Sequence, residues 1–89
     1  MKYIYAEFGD ETLVTFNDIN RNENGEHIPL YFEQPYEDGF RFLQTVLPDL
    51  NIEATEGFSK EAISELISFA RDNAPLIWEL AREGVEPVA

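Results

Sequence analysis

The apolar residues of this chain change period once, near residue 59, and that switch limits what it can fold into. Upstream they alternate as in strands. Residues 2–8 put Ile4, Ala6 and Phe8 on one side and Tyr3, Tyr5 and Glu7 on the other. Gly9-Asp10 then interrupts the run, and residues 12–16 resume it with β-branched and aromatic side chains. Their natural partner is the stretch 27–33, where Ile28, Leu30 and Phe32 form the apolar side. Pro29 lacks an N–H, which predicts an edge position or a free side toward solvent. The polar residues 17–26 between these runs close on Asn24-Gly25, the signature of a type I′ hairpin turn. Residues 34–39 read as a turn. Residues 40–47 fit both periods, but the preceding glycine, two phenylalanines, Thr45-Val46 and the stop at Pro48 favour a strand. Residues 51–54 add a short further piece.

Downstream the period is helical. Ser59 is an N-cap, Glu61 falls in the first turn, and Ile63, Leu66, Ile67 and Ala70 make one stripe. Inside a continuing helix Pro75 would clash with the Arg71 carbonyl. The sequence therefore predicts a break near Asn73-Ala74 and a second helix over 75–83 with proline at its first position. Ile77, Leu80 and Ala81 carry the stripe onward, with Trp78 beside it, and Gly84 is the stop. Strands followed by helices predict an α+β domain over residues 1–84: an antiparallel sheet of about four strands, packed by a C-terminal helical hairpin. Residues 85–89 are expected to fray.

Charge narrows the function. Against 6 Lys+Arg stand 18 Asp+Glu, a net charge of −12 over 89 residues. Binding to a phosphate backbone runs on lysine and arginine, so direct nucleic-acid binding is not expected. The chain has no cysteine, hence no disulfide, thiol nucleophile or thiolate metal site. No run approaches the roughly 20 apolar residues of a membrane span. The first residues turn acidic too early for a signal peptide, which points to the cytoplasm.

Candidate chemistry is sparse. Asn20, Asn22, Asn24 and Gly25 match alternate positions of a calcium loop, with Asp18 just upstream. The twelfth position is Tyr31 rather than the required glutamate, and the flanks are strands, so a hairpin loop is the better reading. His27 is the single histidine and reads as a strand-edge residue. No complete catalytic constellation is present, and no cofactor or metal is expected. The acidic residues offer a contact surface instead. Glu37-Asp38 sits in a turn beside Tyr36; Glu61 and Glu65 are an i, i+4 pair on the first helix and Glu79 and Glu83 one on the second, each pair projecting from one face of its own helix. Tyr3, Tyr5, Tyr31 and Tyr36 fall mostly opposite the apolar side of the strands, a face that a second copy could bury as a homodimer.

The segments Glu56-Gly57-Phe58-Ser59-Lys60-Glu61-Ala62 and Asn73-Ala74-Pro75-Leu76-Ile77-Trp78-Glu79-Leu80-Ala81 resemble a group of short bacterial proteins of unknown function. These have an N-terminal sheet, a "GFS" helix start and a last helix carrying a tryptophan, and are often found beside toxin–antitoxin partners. The likeness covers the last third of the chain, with weaker support from residues 32–35 and 39–42. It implies sheet-then-helices and a bacterial or phage source, and no activity. The group's histidine-containing stretch is represented here by His27 alone. The expectation is a non-enzymatic interaction protein, antitoxin-like or regulatory, whose Tyr36, Glu37, Asp38, Glu61, Glu65, Glu79 and Glu83 meet a basic protein. Alternatives are a phage-type nucleic-acid mimic and a small cation-binding domain or enzyme.

Overall fold

The computed structural model describes residues 1–84, and the expected frayed tail lies outside the described residues. Strands β1 (Tyr3–Glu7), β2 (Leu13–Phe16), β3 (Asn20–Asn22), β4 (Gly25–Tyr36), β5 (Gly39–Leu47) and β6 (Ala54–Glu56) precede one helix, α1 (Lys60–Glu83). They form a six-stranded antiparallel sheet in the order β1-β2-β4-β5-β6, with β3 paired to β4. The expectation of about four strands is corrected: β3 and β6 are three residues each and wholly exposed, so they carry no alternation to read.

Strand β4 is central and not an edge, so of the two positions that Pro29 allowed the structure has the other, a side free of a strand partner. β2 ends at Phe16 opposite Leu30, and β3 begins at Asn20 opposite His27, on the same side of β4. Pro29 falls in the interval between them. Its carbonyl accepts from the Asn17 N–H at 3.0 Å, and the N–H it lacks would point to that same gap. Pro35 lies past Leu13–Glu33, the last pair joining β2 to β4. Both prolines thus sit where no neighbouring strand needs their donor. The β3–β4 turn is Glu23–Asn24, one residue earlier than the Asn-Gly reading, and Gly25 supplies the positive φ of 109°.

The helical hairpin is also corrected. α1 runs unbroken for 24 residues with Pro75 inside it, from a Ser59 N-cap that accepts from the Ala62 N–H at 3.1 Å to a left-handed Gly84. The stripe decides this. Leu66, Ala70 and Ile77 are buried and keep one helical period across Pro75. Pro75 itself faces solvent, so water can satisfy the carbonyl of Arg71. Burying Ile77 is worth about 1.5–3 kcal/mol, and breaking the helix at Asn73 would move it off the sheet.

One face of the sheet meets this helix. Val14, Phe16, Ile28, Leu30, Phe32, Leu43 and Leu47 are buried there with Leu66, Ala70 and Ile77. A β-bulge between Ile4 and Ala6 overturns the alternation read for β1. Tyr3 pairs with Phe16 and Ala6 with Val14, so both turn toward the helix side, while Ile4 turns away and is 42% exposed. Tyr3 stacks on Phe16 at 5.3 Å. Tyr5 meets Phe69 edge-on and donates its hydroxyl to Asn73 Oδ1 at 2.6 Å. Burial pushes the Tyr5 phenol above its ordinary value. The expected side for the tyrosines is corrected for Tyr3 and Tyr5, which pack partly buried against the core.

Replacing Pro75 by alanine restores an N–H toward the Arg71 carbonyl and removes the ring. Pro75→Ala is expected to raise the unfolding free energy by about 1–3 kcal/mol in urea denaturation. A loss of stability would mean that the helix needs proline there.

Candidate functional site

The helix covers one face, and the register shows what remains on the other. Residues paired across β1, β2, β4 and β5 on the uncovered face include Ile4 with Thr15, Leu13 with Glu33, Glu33 with Phe42, and Pro35 with Phe40. Toward the β4–β5 hairpin this face opens into a groove of about 410 Å³ lined by Glu7, Glu11, Leu13, Glu33, Pro35 and Phe40. The Phe40 side chain is 63% exposed, a large apolar group held in water by its place on β5. Three carboxylates from three segments surround it: Glu7 ends β1, Glu11 follows the turn with a positive φ of 71°, and Glu33 lies on β4. Lys2 reaches Glu33 at 3.4 Å and lies over the Tyr31 ring at 4.0 Å. Among the described residues, Glu7 and Glu11 have no ion pair.

The expected site residues fall in separate places. Glu37-Asp38 forms the two-residue turn of the β4–β5 hairpin, with Tyr36 opposite Gly39 at its base. Tyr36 is exposed on the helix side, where the Arg41 guanidinium lies 4.8 Å from its ring centre. Glu61, Glu65, Glu79 and Glu83 all lie exposed on α1. Glu61 and Glu79 are 18 residues apart, about five turns at 3.6 residues per turn, so both pairs share one stripe, with Asp72 between them. That stripe is opposite Leu66, Ala70 and Ile77. The hairpin and the two ends of the helix do not converge on one site. The groove residues Glu7, Glu11, Glu33 and Phe40 were missed because only strand register brings them together; alternation of β5 ahead of an exposed Phe40 was the available signal.

At the other end, ion pairs tie the elements together. Glu26 accepts from Arg82 of α1 at 2.9 Å and from Arg21 of β3 at 2.5 Å. These two guanidiniums, Arg82 first, hold the Glu26 carboxyl below the ordinary carboxylate range. Asp18 is lowered in the same way, chiefly by the Tyr3 hydroxyl at 2.8 Å and then by the N-terminal amine at 3.0 Å. Asp10 is lowered by hydrogen bonds from Thr12. His27 Nε2 stands 3.7 Å from Asp49 Oδ2. The asparagines read as an alternative calcium loop lie on β3 and its turn, and among the described residues no group of three or more His, Asp or Glu side chains could hold a metal ion. No described helix is long and apolar enough to cross a membrane.

Comparison with protein-family models, with curated proteins and with solved structures returns no match.

The Glu26 carboxyl titrates lower folded than unfolded. Its ties to Arg82 and Arg21 therefore contribute above the unfolded value, near 4.5, and are lost as pH falls through the folded one. Thermal melts should show Glu26→Gln less stable than wild type at neutral pH, with the gap closing under acid and under high salt. A gap independent of pH would mean that the effect is not electrostatic.

Proposed function

We propose that the chain is a small, acidic, non-enzymatic interaction module of antitoxin-like or regulatory type, and that the groove around Phe40 holds a basic protein partner. The observation that carries this reading is an exposed aromatic side chain flanked by Glu7, Glu11 and Glu33 on a sheet face that, among the described residues, no helix covers. The occupant is a lysine- or arginine-bearing segment. Its charged heads meet the carboxylates while its aliphatic stems lie on Leu13, Pro35 and Phe40. Opposite charge speeds encounter and rejects wrong partners, and a desolvated aromatic anchor supplies the affinity. Glu37-Asp38 at the neighbouring hairpin turn extends the same negative field. A second copy is a poor occupant, since it brings its own net charge of −12.

The helix stripe has a different role in this reading. From Glu61 to Glu83 it spans about 33 Å at 1.5 Å per residue, with Glu65, Asp72 and Glu79 between them. Duplex DNA carries one charge per about 1.7 Å of axis, so a mimic working through this face would be several-fold too dilute. The stripe keeps the molecule soluble and adds to its field.

The test begins with the partner captured by the wild-type chain and then purified. Phe40→Ala should weaken its binding by about 2 kcal/mol, the scale of an interface hot spot. The triple change Glu7→Gln, Glu11→Gln, Glu33→Gln should weaken it strongly at low salt and little at high salt. The reading fails if the captured protein is acidic, or if Glu61→Lys with Glu65→Lys abolishes binding while the groove variants bind normally.

A further inference from the structure

The uncovered face carries a second cleft at the end away from the hairpin, larger and of different chemistry. It measures about 570 Å³, within the range of small-molecule sites. Register puts its floor and one wall on the open face: Asn20 stands opposite His27, Pro29 opposite Val46, and Tyr31 opposite Gln44. The other wall is the segment between β5 and β6, which brings Asp49, Asn51 and Glu53. That segment is fixed by its backbone. Thr45 Oγ1 donates to the Asn51 carbonyl at 2.7 Å, the Leu50 N–H to the Val46 carbonyl at 2.6 Å, and the Glu53 N–H to the Gln44 carbonyl at 2.8 Å. On the β3 side, Asn22 Oδ1 accepts from the Asn24 N–H at 2.8 Å. Both walls are therefore set before anything binds, which lowers the entropy lost on binding.

The lining selects a ligand class. No lysine or arginine lines the cleft, while Asp49 and Glu53 do, and its one histidine, His27, already stands 3.7 Å from Asp49, so phosphate, sulfate and carboxylate ligands are disfavoured. Among the described residues the side-chain amides of Asn20, Gln44 and Asn51 make no hydrogen bond. A carboxamide offers donors and an acceptor together, which matches a hydroxyl that both gives and accepts. Beneath them Pro29, Tyr31 and Val46 supply an apolar floor. A rim of carboxamides over an apolar, aromatic floor fits a molecule with hydroxyls at its edge and C–H groups on its face. We infer that this cleft binds a neutral, polyhydroxylated ligand, a sugar unit of a glycan, with Asn20, Gln44 and Asn51 holding its hydroxyls and Tyr31 its apolar face. This site is separate from the Phe40 groove and does not depend on the basic-partner reading.

The experiment uses the full chain, first on an array of neutral oligosaccharides and then in a 1H–15N NMR titration with the best neutral glycan, spermidine and inorganic phosphate as separate probes. The glycan should give saturable shifts at the side-chain amides of Asn20, Gln44 and Asn51 and at the Tyr31 backbone. Gln44→Ala should weaken it roughly tenfold, the factor that one lost hydrogen bond of about 1.4 kcal/mol gives. Phe40→Ala should leave it unchanged. Asn20→Ala, in the exposed β3, is the second variant should Gln44→Ala disturb the sheet. Binding to no neutral glycan, saturation by spermidine or phosphate alone, or glycan shifts that survive Asn20→Ala and Tyr31→Ala would overturn the inference.

Discussion

The described residues form six strands and one helix, enough helix for a single layer on one face of the sheet. At 1.5 Å per residue the 24 residues of α1 extend about 36 Å, which matches the 37 Å long axis of the molecule. Leu66, Ala70 and Ile77 lie along that length against Val14, Phe16, Ile28, Leu30, Phe32, Leu43 and Leu47. The match explains why the helix tolerates Pro75. Stopping there would uncover the part of the sheet that Ile77 seals, whereas continuing leaves a carbonyl that solvent can reach. With the whole helix committed to one face, no described helix covers the other, and both candidate sites lie on it.

Four of the six lysines and arginines tie parts of the structure together. Arg21 and Arg82 converge on Glu26 to join β3, β4 and the end of α1, Lys2 bridges Glu33 and Tyr31, and Arg41 lies between Gln34 and Tyr36. Exposed pairs of this kind add little stability each. Their consequence is positional: they fix the ends of strands and helix while leaving Glu7, Glu11, Glu37 and Asp38 uncompensated at the hairpin end. The two ends of the open face differ accordingly. One is anionic around an exposed phenylalanine, and the other sets side-chain amides beside Asp49 and Glu53 around a tyrosine.

Much of this was legible in the chain itself. The strands around Val14, Leu30 and Leu43, the Ser59 cap and the Gly84 stop all follow from alternation and capping chemistry. What failed did so where tertiary packing outweighs local preference. Pro75 is a strong local breaker, yet the unbroken spacing from Leu66 to Ile77 was already written around it. The bulge at Tyr5 is invisible in a pattern of period two, and it moved Tyr3 and Tyr5 from a supposed surface into the core. β3, as Asn20-Arg21-Asn22, has no apolar residue at all and forms through pairing with β4. For the sites, the sequence pattern put Glu61 and Glu65 on one helix and Glu79 and Glu83 on another, whereas the unbroken α1 sets both pairs on one exposed stripe. The grooves depend instead on which residues stand side by side across strands, and a linear reading does not contain that register.

One face of the sheet packs under α1, and no described element lies over the opposite face at Phe40 and Ile4. Hydroxyl-radical footprinting of the free chain tests it residue by residue. Phe40 and Ile4 should oxidise rapidly, while Phe32, Leu30 and Ile77 stay protected until the chain unfolds. Protection of Phe40 and Ile4 to the level of Phe32 would show that the second face is covered, and would contradict the account.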